Sequence, residues 1–204
     1  NNKKVLIDQS SCSMHFKILL NKKNNIFEYK DPVYLFRSVK NKIEINNIIK
    51  SHVVDGAALT KFLFWIKKNY QKQNISEISA QEKLLRFRKE NKNFIFPSFP
   101  TISGTGPNGA IIHYKASKKT NRKLKKGDVY LVDSGGQYKF GTTDVTRTIS
   151  LDNNSNRIKD IFTRVLKGHI AVSKFKIKTS TYGSQIDTAA RKYLKEINLD
   201  YAHG

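Results

Sequence analysis

The sequence is poor in the residues that cross-link proteins through disulfides or structural metal ions. Of its 204 residues, one is cysteine, one methionine and one tryptophan, and only four are proline. With Cys12 as its single cysteine, the chain can form no internal disulfide and no thiolate zinc site. Such cysteine usage fits a reducing compartment. We therefore expect a cytoplasmic protein.

Long apolar runs are also missing. No segment reaches the roughly 20 consecutive apolar residues that a membrane-spanning helix needs, and no secretory leader pattern opens the sequence. We expect no membrane partner. Because the chain starts with Asn1 rather than Met and stops at Gly204, we expect both ends to be cuts within a longer protein.

Acidic residues are scarce. The chain has 16 Asp and Glu against 38 Lys and Arg, which gives a formal charge of +22. Such an excess favours a nucleic acid or an anionic membrane as partner when it gathers on one face. Here the lysines are spread along the chain, and the one dense run is KASKKTNRKLKKGD. We interpret that run as a solvated loop and expect no specific nucleic-acid partner.

The chain changes character near residue 42. KKVLIDQSS and NNIFEYKDPVYLF are β-like runs between polar turns. From Glu44, apolar residues recur at three- and four-residue spacings and predict an amphipathic helix that ends near Tyr70. We therefore divide the chain into the end of one domain at residues 1–42 and a second domain at residues 43–204.

The second domain mixes helices with strand pairs. A Ser-Ala-Gln-Glu capping box predicts a helix from Ser79, and FIFPSFPTISGTGPNGAIIHYKA is typical of strand, turn and strand. VYLVDSGGQY and TDVTRTISL predict another strand pair. Apolar stripes predict helices at about residues 155–175 and 184–198. Hairpins with flanking helices indicate an α+β fold.

Two aspartates in DSGGQYKFGTTDVTRT mark the candidate site. Asp133 and Asp144 flank a predicted antiparallel hairpin that turns at KFG, whose glycine can adopt a positive φ. A turn centred between Tyr138 and Lys139 sets the aspartates opposite each other, and a turn one residue later makes them diagonal neighbours. In either register the two carboxylates share one face of the hairpin.

Carboxylates that close repel each other and raise the pKa of one of them, a conflict that a divalent cation removes. Aspartates beside glycines more often begin or end turns, and a carboxylate pair can also serve as the acid and base of a glycosidase. The shared face and the apolar flanks favour a metal site. We see no aromatic sugar platforms that would favour the glycosidase.

The hairpin sequence closely resembles the metal-binding hairpin of Xaa-Pro aminopeptidases, the aminopeptidase P family. Further segments resemble other blocks of that family in the same order, namely TISGTGPNGAIIHYKA, FTRVLKGHIAV and DYAHG. Together they are typical of the three-domain type. The resemblance implies an incomplete pita-bread domain, the fold of creatinases and methionine aminopeptidases, preceded by the end of a creatinase-type N-terminal α/β domain.

The resemblance also implies roles for individual residues. Asp133 would bind one divalent metal ion and Asp144 would bridge two, most often Mn²⁺, with Zn²⁺ or Co²⁺ as alternatives. His113 and His203 would contact substrate and handle protons without binding metal. The family's metal-binding histidine and two glutamates would follow Gly204, so we expect the chain by itself to be inactive.

Two other assignments come from the residues alone. Arg147 is expected to orient Asp144, because metal-binding carboxylates usually have hydrogen-bonding partners. His15, His52 and His169 are interpreted as structural, and His169 is expected on a helix within a core-forming stretch.

The implied function is hydrolysis of the bond between an N-terminal residue and a following proline, by a cytoplasmic protein that is a homodimer when complete. Two alternatives stay open. One is a prolidase or a methionine aminopeptidase-like peptidase. The other is a non-catalytic pita-bread protein that binds protein or nucleic acid, against which the presence of both aspartates and both histidines argues.

Overall fold

The structure is a computed structural model that describes residues 2–152 and 154–204. It separates into two compact units, Asn1–Lys50 and Ser51–Gly204. Each unit contains both helices and strands, in agreement with the expected α+β class. None of the described helices is long and apolar enough to cross a membrane.

The first unit contains a short parallel sheet. Strand β1 (Lys4–Ile7) pairs with β2 (Asn25–Glu28), and helix α1 (Met14–Asn21) lies between them in sequence. Both strands confirm the predicted β-like runs in outline, but the VYLF segment is helical and belongs to α2 (Pro32–Ser38). The reason is local, because the Asp31 side chain accepts a hydrogen bond from the Val33 N–H at 2.9 Å and a proline suits the first helical position.

The predicted long helix is confirmed as α3 (Lys42–Asn69). Its buried side chains recur every three or four residues, as an amphipathic helix requires: Ser51, Asp55, Leu59, Phe62 and Ile66. The domain boundary at residue 42 stays a prediction, since the division into compact units falls after Lys50.

The next helix, α4 (Glu77–Lys89), begins earlier than the sequence predicted. Ser76 caps it, and its hydroxyl accepts the Ser79 N–H at 3.2 Å. The prediction that Ser79 forms the capping box with Glu82 was therefore wrong. Ser79 is instead the other half of a box with Ser76, because its hydroxyl accepts the Ser76 N–H at 2.8 Å.

Two three-stranded antiparallel sheets form the centre of the second unit. One has the order β3 (Phe94–Pro97), β6 (Gly136–Tyr138) and β7 (Gly141–Thr142). The other has the order β4 (Ile102–Thr105), β5 (Val129–Ser134) and β8 (Val145–Ser150). The apolar core joins α3 and α4 to this second sheet through Phe62, Leu84, Tyr130 and Val132.

The segment after β4 differs from the predicted strand, turn and strand. A 3-10 turn (Gly106–Ala110) follows β4, and residues 111–116 contain no strand. The prediction of a strand there was wrong because β4 pairs with β5, which lies beyond the basic loop.

Two helices complete the second unit, α5 (Asn156–Ser173) and α6 (Gly183–Lys195), close to their predicted bounds. They pack against each other at Gly168, where an added Cβ would overlap the Ala190 carbonyl. His169 lies on α5 as expected, but its side chain is exposed and not part of a core. The reason is that the buried residue at this turn is its neighbour Gly168.

Candidate functional site

The register of the aspartate hairpin makes Asp133 and Asp144 diagonal neighbours. Asp133 pairs with Thr146 across β5 and β8, and Tyr138 pairs with Gly141 across β6 and β7 in the same register. The turn is therefore centred between Lys139 and Phe140, the second of the two predicted registers. Thr146 lies opposite Asp133, and Asp144 lies two residues before Thr146, so the strand period of two puts all three on one face.

The hairpin turns without the positive φ that the sequence suggested for its glycine. Gly141 is not among the residues with positive φ in the described chain. It lies in β7 and pairs with Tyr138, so an extended conformation is required of it. The two-residue turn is instead made by Lys139 and Phe140.

A close backbone contact draws the two halves of the hairpin together beside the aspartates. A Cβ at Gly135 would overlap the Thr143 carbonyl oxygen and the Ser98 hydroxyl. Ser98 donates to that same carbonyl at 2.8 Å, and the Gly136 N–H donates to the Thr143 hydroxyl at 2.9 Å. Only glycine fits at position 135, the second residue after Asp133.

The carboxylate of Asp133 is incompletely satisfied. Its Oδ1 is buried and has no hydrogen-bond partner among residues 2–152 and 154–204. An unpaired buried polar oxygen is costly, and a hard cation is the kind of ligand that would satisfy it. No cluster of three or more His, Cys, Asp or Glu side chains that could hold a metal occurs in the described part of the chain. The described aspartates thus fit part of a metal site.

Three of the predicted site residues converge on one cavity of about 330 Å³. Asp133, His113 and His203 line it, although they lie far apart in sequence. The two imidazoles meet edge to face, with their Nε2 atoms 3.4 Å apart. The other lining side chains include Thr146 and a mainly apolar wall of Ile102, Ile111, Ile112, Leu131 and Tyr201.

Asp144 and Arg147 are placed differently from these three. Asp144 is exposed and lies two residues before Thr146, on the shared face. Arg147 lies at the alternate position of β8, opposite Val132, and its guanidinium donates to the Thr146 carbonyl at 2.8 Å. The structure records no contact between Arg147 and Asp144, and the role of Arg147 stays a prediction.

Arg191 on α6 holds the segment that carries His203. Its Nη2 donates to the His203 carbonyl at 2.7 Å and its Nη1 donates to Asp200 Oδ1 at 2.9 Å. Asp187, one turn earlier on α6, orients the guanidinium from the other side. The hydrogen bonds that Arg191 donates to Asp187 and Asp200 raise the pKa of Arg191 above its usual value.

A buried polar network lies against the hairpin. Arg88 of α4 donates to Asp55 of α3, and its Nη2 also reaches the Ser134 hydroxyl at 3.1 Å. The Tyr138 hydroxyl donates to Asp55 at 2.7 Å. Because Ser134 directly follows Asp133, the network ties the hairpin to both helices.

The ionisation of this network follows from its burial and its partners. Burial alone would raise the pKa of Asp55, but the hydrogen bonds and charge of Arg88, with help from Tyr138, bring it below the usual value. Burial, reinforced by the Asp55 carboxylate, raises the pKa of Tyr138. The network therefore holds one ion pair and a neutral phenol at neutral pH.

Sequence reasoning missed this network and the role of Arg191. A signal was present for Asp55, a lone carboxylate on the apolar stripe of α3 between Ser51 and Leu59. Arg88 is likewise a charged residue on the buried face of α4, four positions after Leu84. A charged residue at a predicted core position usually has a buried partner, which can be sought among other such residues.

Comparison with known proteins places these features in a family. The model of Metallopeptidase family M24 matches residues 46–204. Xaa-Pro aminopeptidase ApepP of Drosophila melanogaster is 39% identical over 95% of this chain, and Xaa-Pro aminopeptidase 1 of Dictyostelium discoideum is 40% identical over 99% of it. The chain spans 32% of the length of each of these relatives.

Comparison with solved structures agrees with this family match. An X-prolyl aminopeptidase from Caenorhabditis elegans, described as a cytosolic enzyme with a di-nuclear active site, superposes with a TM-score of 0.82 at 35% identity, covering 92% of this chain and 31% of that one. A prolidase from Pyrococcus horikoshii OT3 superposes with a TM-score of 0.80 at 25% identity, covering 96% and 54%. The expected pita-bread fold is thus confirmed for the part of the domain that the chain spans. The chain belongs to metallopeptidase family M24.

Proposed function

We propose that the full-length protein carrying this chain is a dimetal aminopeptidase that hydrolyses the bond between an N-terminal residue and a following proline. The observation that carries the proposal is the convergence of Asp133, His113 and His203 on one cavity, where Asp133 Oδ1 has no hydrogen-bond partner among the described residues. Relatives about 40% identical that are named Xaa-Pro aminopeptidase support it.

The aspartates are the residues that would hold metal. We assign Asp133 to one divalent ion and Asp144 to a bridge between two, with Mn²⁺ as the metal and Zn²⁺ or Co²⁺ as alternatives. Bound divalent ions supply Lewis-acid polarisation of the scissile carbonyl. The exposure of Asp144 and the unpaired oxygen of Asp133 support the assignment, because each leaves carboxylate oxygens free to bind.

The histidines act on the leaving group. An Xaa-Pro bond is a tertiary amide without an N–H, so the proline nitrogen must gain a proton as the bond breaks. We assign that proton transfer to the imidazoles of His113 and His203, which lie within reach of each other in the cavity. The apolar wall beside them would accept the pyrrolidine ring by shape.

The proposal also covers the location, assembly and substrates of the enzyme. We propose a cytosolic homodimer whose substrates are peptides with proline in second position, without a specific nucleic-acid or membrane partner. We retain residues 1–42 as the end of a creatinase-type N-terminal domain and residues 43–204 as part of the catalytic domain. Arg147 is retained as a residue that orients Asp144.

The proposal is tested by assaying the full-length protein with Mn²⁺ on three substrates matched in their first residue. These are a tripeptide with proline second, the same tripeptide with alanine second, and the Xaa-Pro dipeptide. We expect release of the first residue from the proline tripeptide at a rate at least tenfold above the alanine peptide. Preference for the dipeptide would make the protein a prolidase, and cleavage of none of the three would make it a non-catalytic member of the family.

A further inference from the structure

A buried carboxylate at the start of α4 collects hydrogen bonds from a long stretch of irregular chain. Glu77 is completely buried, with 0% of its surface exposed. Four groups donate to its side chain, namely the Thr105 N–H at 2.8 Å, the Arg122 N–H at 3.0 Å, the Asn108 side-chain amide at 3.0 Å and the Tyr114 hydroxyl at 2.8 Å. An ionised carboxylate only accepts hydrogen bonds, so this surrounding suits its charge.

Thr105 ends strand β4, but the other three donors come from segments that have little secondary structure of their own. Asn108 lies in the 3-10 turn, Tyr114 follows it, and Arg122 lies in the basic loop. Asn108 also donates to the Tyr114 hydroxyl at 2.7 Å, which links two of the donors to each other. Glu77 therefore replaces the sheet pairing that residues 106–122 lack.

His113 lies within this stretch, next to one of the anchored residues. Its backbone has a φ of 52°, a left-handed conformation that costs energy for a residue other than glycine. Its side chain is exposed, whereas Tyr114 is only 4% exposed. The conformation at His113 must be held by its neighbours, and the buried Tyr114 is the nearest anchor.

The consequence concerns the meeting of the two histidines. His203 approaches His113 from a separate segment, which Arg191 holds, and the contact between the rings spans 90 residues of sequence. Among residues 2–152 and 154–204, the contact with His203 is the one hydrogen bond of the His113 side chain, so releasing the Tyr114 anchor should let the ring leave that position. We infer that Glu77, acting through the Tyr114 hydroxyl, is a positioning residue for His113. The expected effect on turnover rests on the proposed function. The expected effect on the position of the His113 ring rests on the geometry alone.

The experiment removes one hydroxyl at a time in the full-length protein. Tyr114→Phe deletes the donor to Glu77 and keeps the ring. Tyr130→Phe is the matched control, because Tyr130 is also buried and, within the described part of the chain, its hydroxyl bonds Ser103 at 2.8 Å and not Glu77. Glu77→Gln is a second test variant that keeps shape and removes the charge.

Three readouts are taken for each variant: metal content, kcat and KM on the proline tripeptide, and the ¹H–¹³C signals of labelled histidine rings. The signal of His113 is identified by its loss in His113→Gln. We expect Tyr114→Phe to keep its metal, to lose about tenfold in kcat and to show a broadened or shifted His113 signal. Tyr130→Phe should change neither kcat nor the His113 signal, even if it lowers thermal stability as much as Tyr114→Phe does.

An unchanged His113 signal in Tyr114→Phe, or a change that Tyr130→Phe reproduces, overturns the inference. If the wild type cleaves none of the peptides, the proposed function fails while the His113 signal still decides this inference. If Glu77→Gln does not fold, Tyr114→Phe and its control decide it.

Discussion

Arg88 donates two hydrogen bonds to Asp55, from Nε at 2.7 Å and from Nη2 at 3.0 Å, although the two residues lie 33 positions apart. The side chains are 2% and 0% exposed. Ser134, the last residue of β5, and Tyr138, the last residue of β6, join them. The placement of the aspartate hairpin therefore depends on an ion pair that is removed from water.

Breaking this pair should destabilise the protein strongly. Arg88→Met leaves the Asp55 charge buried without its partner, which costs about 3–5 kcal/mol. The free energy of unfolding from urea titration measures it. The matched control is Glu90→Gln, which breaks the exposed pair of Lys61 and Glu90 and should cost no more than about 1 kcal/mol. Equal losses in the two variants would contradict a structural role for the buried pair.

The same pair should make stability depend on acid pH. The pKa of Asp55 is lower in the folded protein than its ordinary value. Its stabilising contribution is therefore complete above the unfolded pKa of about 3.9 and is lost as the pH falls through the folded pKa. Unfolding measured from pH 7 down to pH 3 should show a flatter acid dependence in Asp55→Asn than in the wild type. Parallel pH curves would rule this contribution out.

Removing either site aspartate should abolish metal-dependent activity of the full-length protein while leaving the fold intact. Asp144→Asn and Asp133→Asn each remove a charged oxygen that we propose as a metal ligand on the shared face. Asp152→Asn is the control, since Asp152 is also exposed but lies two residues after the end of β8, where its carboxylate pairs with Lys126 on the surface. Metal analysis, circular dichroism and turnover are compared. Near-normal turnover and metal content in Asp144→Asn would refute its assignment.

The two cavity histidines should matter for turnover and not for metal binding. His113→Ala and His203→Ala are expected to retain both ions and to lose an order of magnitude or more in kcat on a proline tripeptide, as for a positioned proton-transfer group. His169→Ala, exposed on α5, should behave like the wild type. Loss of metal in His203→Ala would make that residue a ligand, and an unchanged rate in His113→Ala would return it to a structural role.

Position 135 should tolerate only glycine. Gly135→Ala places a methyl group against the Thr143 carbonyl and the Ser98 hydroxyl, so it should destabilise by about 1–3 kcal/mol, as overpacking does, and lower metal affinity by shifting Asp133. Gly56→Ala is the opposite case. Nothing lies within 4 Å of its added Cβ in α3, and it should stabilise by about 0.5–1 kcal/mol. Thermal unfolding of both variants measures the difference.

Several features could be predicted from the sequence because they depend on local periodicity. Apolar residues recur every three or four residues in α3, as in a helix, and every second side chain of the strands around Asp133 and Asp144 lies on the same face, as in a sheet. The expectation that the two aspartates share a face followed from that period, since both possible registers preserve it. Local reasoning was wrong where a cap or a partner decided the outcome, as at Ser79 and in the segment after β4.

The sequence by itself determined the long helix α3, the helix pair α5 and α6, the hairpin with its two carboxylates, and the family to which those segments are similar. Only the tertiary structure decided the register of the hairpin, the meeting of His113 with His203, and the pairing of Asp55 with Arg88. These relationships join residues far apart in the chain, and they arise from packing and from the need of buried polar groups for partners. No local pattern carries that information. In the unfolded chain, water can satisfy the hydrogen bonds of each member of such a pair, and only the fold excludes that water and brings the partner close.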